Sequence, residues 1–253
     1  MTALVLVSVA ATAQNEIVAV PNRPTVSTTA QPVQPGVLET EWGVDAASSH
    51  QDVNDLFKFG LTSNFELRLS NILLTANPGT HGLGDTSIGF KYRLTRDSGH
   101  QPSIALMYMF TAPTATNVLG SDEPAHSFGF LASKDLGKHH FDFNLIGNLL
   151  GSPTGGFHYN FLNAFAWSHP VRGKWSATAE ISGVTAAQGG FPGSSQFLAS
   201  ALYSPKPRLV FDIGMMGRIA GATQHAMFVA GVTYSIANLY HGHRQTDSPV
   251  AHF

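Results

Sequence analysis

Residues 85–93 read Asp85-Thr-Ser-Ile-Gly-Phe-Lys-Tyr-Arg93. Asp85, Ser87, Gly89, Lys91 and Arg93 alternate with Thr86, Ile88, Phe90 and Tyr92, and Leu94 follows. A period of two sends alternate side chains to opposite faces of a strand, so this segment has an apolar face and a charged one. A soluble sheet could contain one such strand. Here the pattern recurs about twelve times between Val37 and Ile236, with no helical period between.

Moving outward, Phe65, Leu67 and Leu69 oppose Glu66, Arg68 and Ser70. Phe141, Phe143 and Leu145 alternate with His140, Asp142 and Asn144, and Trp175, Ala177, Ala179 and Ile181 with Ser176, Thr178, Glu180 and Ser182. The connections differ in length. Those at 62–64, 136–138, 169–174 and 204–208 are short, and 95–102 is moderate. Those at 72–84, 112–125 and 184–195 are long, while 220–224 departs from the alternation. Short turns on one rim and longer loops on the other characterise an outer-membrane barrel. An even strand number then leaves both termini on the short-turn, periplasmic rim.

Composition agrees. Of 253 residues only 12% are charged, while Gly (25) and Phe (17) are abundant. No apolar run reaches the ~18 residues of a helical span. A net charge of −2 gives no basic footprint for nucleic acid. The absence of Cys excludes disulfides and thiol chemistry.

Residues 1–13 read as a signal peptide with a truncated n-region: an apolar run ends in Ala11-Thr-Ala13, a small-x-small cleavage pattern. Residues 14–36, rich in Pro, Thr, Val and Gln, read as a flexible periplasmic lead-in. The barrel occupies 37–236, and 237–253 form a polar tail.

A sheet in hydrocarbon must satisfy its backbone internally, and closure does this. The expected fold is therefore all-β: a transmembrane antiparallel up-and-down barrel of about twelve strands, apolar face to lipid. Phe65, Tyr92, Phe141, Trp167, Trp175, Tyr203 and Tyr234 lie near the short-turn ends, where an aromatic girdle belongs. A soluble sandwich also alternates, and a lipocalin-like barrel inverts the faces. Neither collects aromatics at one rim.

The segments Gly60-Leu-Thr-Ser-Asn-Phe-Glu-Leu-Arg68 and Gly82-Leu-Gly-Asp-Thr-Ser-Ile-Gly-Phe-Lys-Tyr-Arg-Leu94 resemble the outer-membrane family named for the meta-pathway of phenol degradation. Phe110-Thr-Ala-Pro-Thr114 resembles that family's strand ending in Pro-Thr-Gly, with Ala115 in the place of the Gly. The resemblance spans roughly 37–236. It implies a Gram-negative outer-membrane barrel that moves small solutes, apolar or aromatic ones included. Some barrels of this group end in an aromatic residue read by the barrel-assembly machinery; Phe253 has that position but follows a polar tail.

The inward face is expected to carry Glu39, Glu41, Asp45, Lys58, Glu66, Arg68, Asp85, Lys91, Arg93, Asp142, Glu180, Asp212 and Arg218. Two readings stand. Mixed charges can pair across strands and fill a closed core, or line a wet passage that filters by charge. Met107, Met109, Leu131, Met216 and Met227 share the inward parity and offer an apolar patch for a solute, or packing for a filled interior.

Catalysis and cofactors find little support. A barrel phospholipase places a His-x-Ser pair on one strand face, and no His-x-Ser occurs. His126-Ser127 and Ser168-His169 are adjacent and face opposite ways. His139-His140 diverge likewise, and His241-Gly-His243 lies in the tail, so no metal is expected. No nucleotide-binding glycine loop precedes a helix. The expectation is a monomeric, non-enzymatic, cofactor-free channel in outer-membrane lipid, passing small solutes passively. The alternative is a structural or adhesive barrel with a packed interior; a lipid hydrolase ranks below both.

Overall fold

A computed structural model of the chain describes residues 16–116, 119–187 and 192–240. The expected signal peptide and most of the polar tail, Phe253 included, lie outside the described residues.

Twelve long strands form one closed antiparallel ring. They are β1 (Val37–Ala46), β2 (Gln51–Gly60), β3 (Phe65–Asn77), β5 (Thr86–Thr95), β6 (Ser103–Ala112) and β7 (Ala125–Leu136), then β8 (His139–Gly151), β9 (Phe157–Arg172), β10 (Trp175–Val184), β11 (Ser194–Lys206), β12 (Leu209–Gly221) and β13 (Ala226–Asn238). Each pairs with its sequence neighbour, and β1 closes the ring by pairing with β13. A short extra strand, β4 (Thr80–Gly82), folds back on the end of β3 and interrupts nothing. Closure leaves no long edge to template aggregation.

The segment 85–94 behaves as its alternation requires. Lys91 is fully buried, whereas Ile88, Tyr92 and Leu94 are exposed on the outside. The same parity covers the barrel with outward Leu67, Leu69, Phe143, Phe165, Ile181, Phe197 and Ile213. An apolar belt this continuous is untenable in water and suits hydrocarbon. Two-residue turns at 137–138 and 173–174 use Gly137 and Gly173 at positive φ (65° and 60°), which other residues resist.

The aromatics expected to form a girdle lie toward the turn-rim ends of their strands. Trp175 and Tyr203 face each other across β10 and β11, ring centroids 4.8 Å apart. Phe65 packs on Phe90 (5.5 Å) and Tyr92 (6.3 Å). Phe141 stacks on Phe165, Trp167 donates to His139, and Arg208 lies over the Tyr234 ring.

The lead-in departs from expectation. Residues 16–36 form neither a strand nor a loose tail: they fold into a U-shaped strap inside the barrel. One arm starts at the turn rim, where Ala19 N donates to Pro207 O (2.9 Å). The other returns to that rim, where Gly36 N donates to Gly60 O (2.7 Å). The composition of 14–36 lacks any apolar period, yet Ser27, Ala30 and Val33 are almost completely buried. The wall supplies the partners that a free peptide would find in water.

Candidate functional site: the strapped lumen

Inward carboxylates hold the strap by its backbone. Glu39 accepts from Val20 N (2.9 Å), and Glu41 from Asn22 N (2.9 Å) and Arg23 N (3.0 Å). Glu180 takes Val26 N (3.0 Å) and Ser27 N (2.8 Å) on its two oxygens, and Glu66 takes Val33 N (2.8 Å). Asn144 both accepts from Thr28 N (2.7 Å) and donates to Thr28 O (2.9 Å). Ser133 Oγ accepts from Ala30 N (2.7 Å) and donates to Asp142, whose other oxygen meets His140. The strap carbonyls are served by cations: Lys58 donates to Val20 O, and Lys91 to Thr29 O (3.1 Å) and Gln31 O (2.8 Å). Charge-assisted bonds of this kind are among the stronger ones available to a buried peptide.

The same charges also pair with each other. Lys58 bridges Glu39 (2.7 Å) and Glu41, and Glu66 meets Arg68 (2.7 Å) and Lys91 (3.4 Å). All are buried on the inward face. Lys58 with Glu39 and Glu41, and Lys91 with Glu66, pair between strands, while Arg68 pairs with Glu66 along β3. The strap uses the lone pairs and N–H groups that pairing leaves over.

Three residues expected in the lumen sit at its ends instead. Asp85 precedes β5 on the long-loop rim, where it accepts from Thr114 N, Ala115 N and Ser121 N, so it shapes the 112–125 connection. Arg93 has the inward parity but lies at the turn rim, donating to Ser63 O (2.7 Å) and Asn64. Arg218 lies three residues before the end of β12, beside His225 (2.7 Å) on the loop rim. Alternation predicts the face of each but says nothing of its depth.

The apolar inward residues touch the strap first. Met107 and Leu131 pack with Ala30, Ala105 and Ile146, and Met109 lies against that cluster. Met216 packs with Leu198 and Val229, against Val26 and Met227. Strap methyl groups thus take part of the place expected for a solute.

The strap divides the remaining lumen. On the loop side a cavity of about 280 Å³ is lined by Arg68, Asn54, Asp55, Met107, Met109 and Ile146, with strap residues 22–28 as its floor. On the turn side a cavity of about 90 Å³ lies between the two arms and His140, Asp142, Ser176, Thr178 and Leu202. Arg23 and Thr25 border both, so the strap is the septum between them. Among the described residues no cluster of three or more His, Asp or Glu is placed to hold a metal.

Arg23 is the residue that the sequence reading passed over. It lies in a segment with no pattern to single it out, yet its guanidinium reaches Asn54 Oδ1 (2.8 Å), Asp45 Oδ1 (3.2 Å) and Ala230 O (3.2 Å). A detectable signal existed in its partners. Glu180 and Asp212 are inward acids whose cross-strand neighbours, Leu198 and Ala166, Leu202 and Gly231, carry no base. An inward acid without a cross-strand cation requires a partner from elsewhere.

The closed antiparallel barrel fold is shared with solved outer-membrane porins. The NanC porin superposes with a TM-score of 0.58 at 8% identity, covering 79% of this chain and 100% of that one. The KdgM porin, solved in complex with disordered oligogalacturonate, superposes at 0.56 and 8% identity, covering 79% of this chain and 99% of that one. No curated protein sequence matches. Residues 22–236 match the family described as "Putative MetA-pathway of phenol degradation", and the chain belongs to that family. The matched range begins inside the strap, one residue before Arg23.

Proposed function

We propose that the protein is a passive channel for small solutes in the bacterial outer membrane, and that residues 16–36 are its closure. The observation that carries this reading is the septum. Two cavities share Arg23 and Thr25 in their linings, and what separates them is a peptide held by side-chain hydrogen bonds rather than by a strand ladder. Such a segment can leave without opening the barrel, because no strand pairing includes it. Both ends of the described chain lie at the short-turn rim, which in outer-membrane barrels is periplasmic. The strap then enters from the periplasm.

The loop-side cavity combines Met107, Met109 and Ile146 with Arg68 and Asp55. It offers an apolar wall and a few polar groups, the usual composition of a small-molecule site. A compact solute with an apolar or aromatic body and one hydrogen-bonding head fits it, in keeping with the family's description. Lipids of the outer membrane cover the apolar belt, and the barrel-assembly machinery is the expected folding partner. The girdle aromatics mark the periplasmic interface.

A second reading, a structural barrel with a packed interior, draws support from the neutralised charge ring around Lys58, Lys91 and Arg68. Planar-bilayer recording of the whole chain and of the chain without residues 16–34 separates the two. The channel reading expects small or rare conductance steps from the whole chain and larger steps once the strap is removed. Silence from both, with normal heat-modifiable migration, leaves the structural barrel.

A further inference from the structure

Arg23 occupies a seat that is built into the wall. Across β12, β13, β1 and β2 the register aligns Asp212, Gly231, Gly43 and Asn54 in one row. The two glycines are the floor. A Cβ on Gly43 would stand 1.9 Å from Arg23 Cζ, and one on Gly231 2.4 Å from Arg23 Nε. The guanidinium therefore lies flat on backbone that any side chain would cover. Asn54 is held in position, since its Nδ2 donates to Asp45 Oδ2 (2.8 Å) and its Oδ1 faces the cation.

Asp212 is the least expected member. Its side chain is 1% exposed, and neither carboxylate oxygen has a hydrogen-bond partner among the described residues. Arg23 Nε, at 3.8 Å, forms its ion pair but is too far to donate, and has no hydrogen-bond acceptor among the described residues. A buried carboxylate without hydrogen bonds is costly. Here it is aimed into a slot that already holds a planar cation loosely on that side.

We infer that this row is a binding site for a guanidinium group, occupied in cis by Arg23, and that it takes a guanidinium-bearing solute when the strap withdraws. The inference rests on the strap acting as a closure, because only then does the slot face the open lumen. Three features select the ligand. Two carboxylates, Asp45 and Asp212, require a cation. The glycine floor admits a flat group. The acceptors Asn54 Oδ1, Asp45 Oδ1 and Ala230 O match a fork of N–H donors, whereas an ammonium presents a compact point charge. Asn54 and Arg23 also line the loop-side cavity, so the slot borders the space through which a solute would arrive from outside.

The test is direct binding to the folded barrel in detergent, with methylguanidinium as the probe and calorimetry as the readout. Arg23→Ala, with the slot emptied, should bind methylguanidinium saturably, and the wild type should not. Adding Asp212→Asn should weaken binding at least about tenfold, and methylammonium should bind Arg23→Ala more weakly by a similar factor. If Arg23→Ala loses heat-modifiable migration, Arg23→Gln carries the same measurement. Absence of saturable binding in the folded variant overturns the inference, as does binding that Asp212→Asn leaves unchanged. Binding that persists in a barrel with no conductance would instead count against the channel alone.

Discussion

Glu180 shows how a single side chain can decide the state of a whole segment. Each of its oxygens accepts one strap N–H, from half-buried Val26 and from buried Ser27, and the carboxylate itself is buried. Glu180→Ala removes the acceptor of the buried Ser27 donor and of the half-buried Val26 donor, and about 1–3 kcal/mol is lost for each donor left without a partner. Hydrogen exchange at Val26 and Ser27 should report local opening easier by roughly 2–4 kcal/mol, while the strands keep their protection. Unchanged exchange there would mean that the strap is held elsewhere. On the loop rim, His50 sits between Asn77 Oδ1 (2.7 Å) and Asp52 Oδ2 (2.8 Å). The Asn77 hydrogen bond, helped by Asp52, raises its pKa above the usual imidazole value although burial opposes this. A raised folded value means that the protonated ring stabilises the loop. That contribution is complete below the ordinary imidazole range and disappears as pH rises through the higher folded value. Amide exchange in residues 47–50 should therefore be slower at mildly acid pH, relative to its intrinsic rate, and faster at alkaline pH. His50→Ala should lose that pH dependence.

At the scale of the element, the strands were legible because their physics is written locally. Alternation at 65–70, 85–94 and 175–182 fixes the face of each side chain, and a slip of one residue would bury Ile88 and expose Lys91. Ile213, on the outer face of β12 between Ala201 and Ala230, tests that assignment. Ile213→Arg should destabilise the barrel in lipid by roughly 2–4 kcal/mol in reversible unfolding, the cost of a cation well inside the hydrocarbon. A neutral result would mean that this face is not in lipid. Ends were less legible than faces. Asp85 has the right parity for the lumen, but its backbone position before β5 gives it three loop amides instead. The strap was not legible in its own residues, only in wall acids such as Glu180 and Asp212 that lack a cross-strand base. Pro21, Pro24, Pro32 and Pro35 exclude regular hydrogen bonding along the segment, and its polar Thr, Ser and Gln make no apolar face. Its burial depends on residues up to 207 positions away, as Arg23 and Ala230 illustrate. Composition describes what a segment can do alone, and this segment is not alone.

At the scale of the molecule, the question is whether solute passage requires the strap to move. The pairing of wall charges makes a ring that is neutral around Lys58 and Glu66, so removing the strap exposes few unpaired groups there. The exceptions are Glu180 and the Asp45–Asp212 slot, which favour the strap's return. On the proposed reading, a channel so arranged would rest closed and open when something competes for those acids. The absence of Cys allows this to be tested by a covalent lock. Thr29 Oγ1 and Ser133 Oγ are 3.1 Å apart, one on the strap and one on β7, close enough for their replacement by sulfur to bridge. In Thr29→Cys/Ser133→Cys, the oxidised barrel should conduct less than the wild type, and reductant should restore the steps. Each single variant should respond to neither treatment. If the oxidised double variant conducts as freely as the wild type, solutes pass beside a fixed strap, through the two cavities that Arg23 and Thr25 separate. The lining of those cavities, and not the strap's release, would then set what the barrel admits.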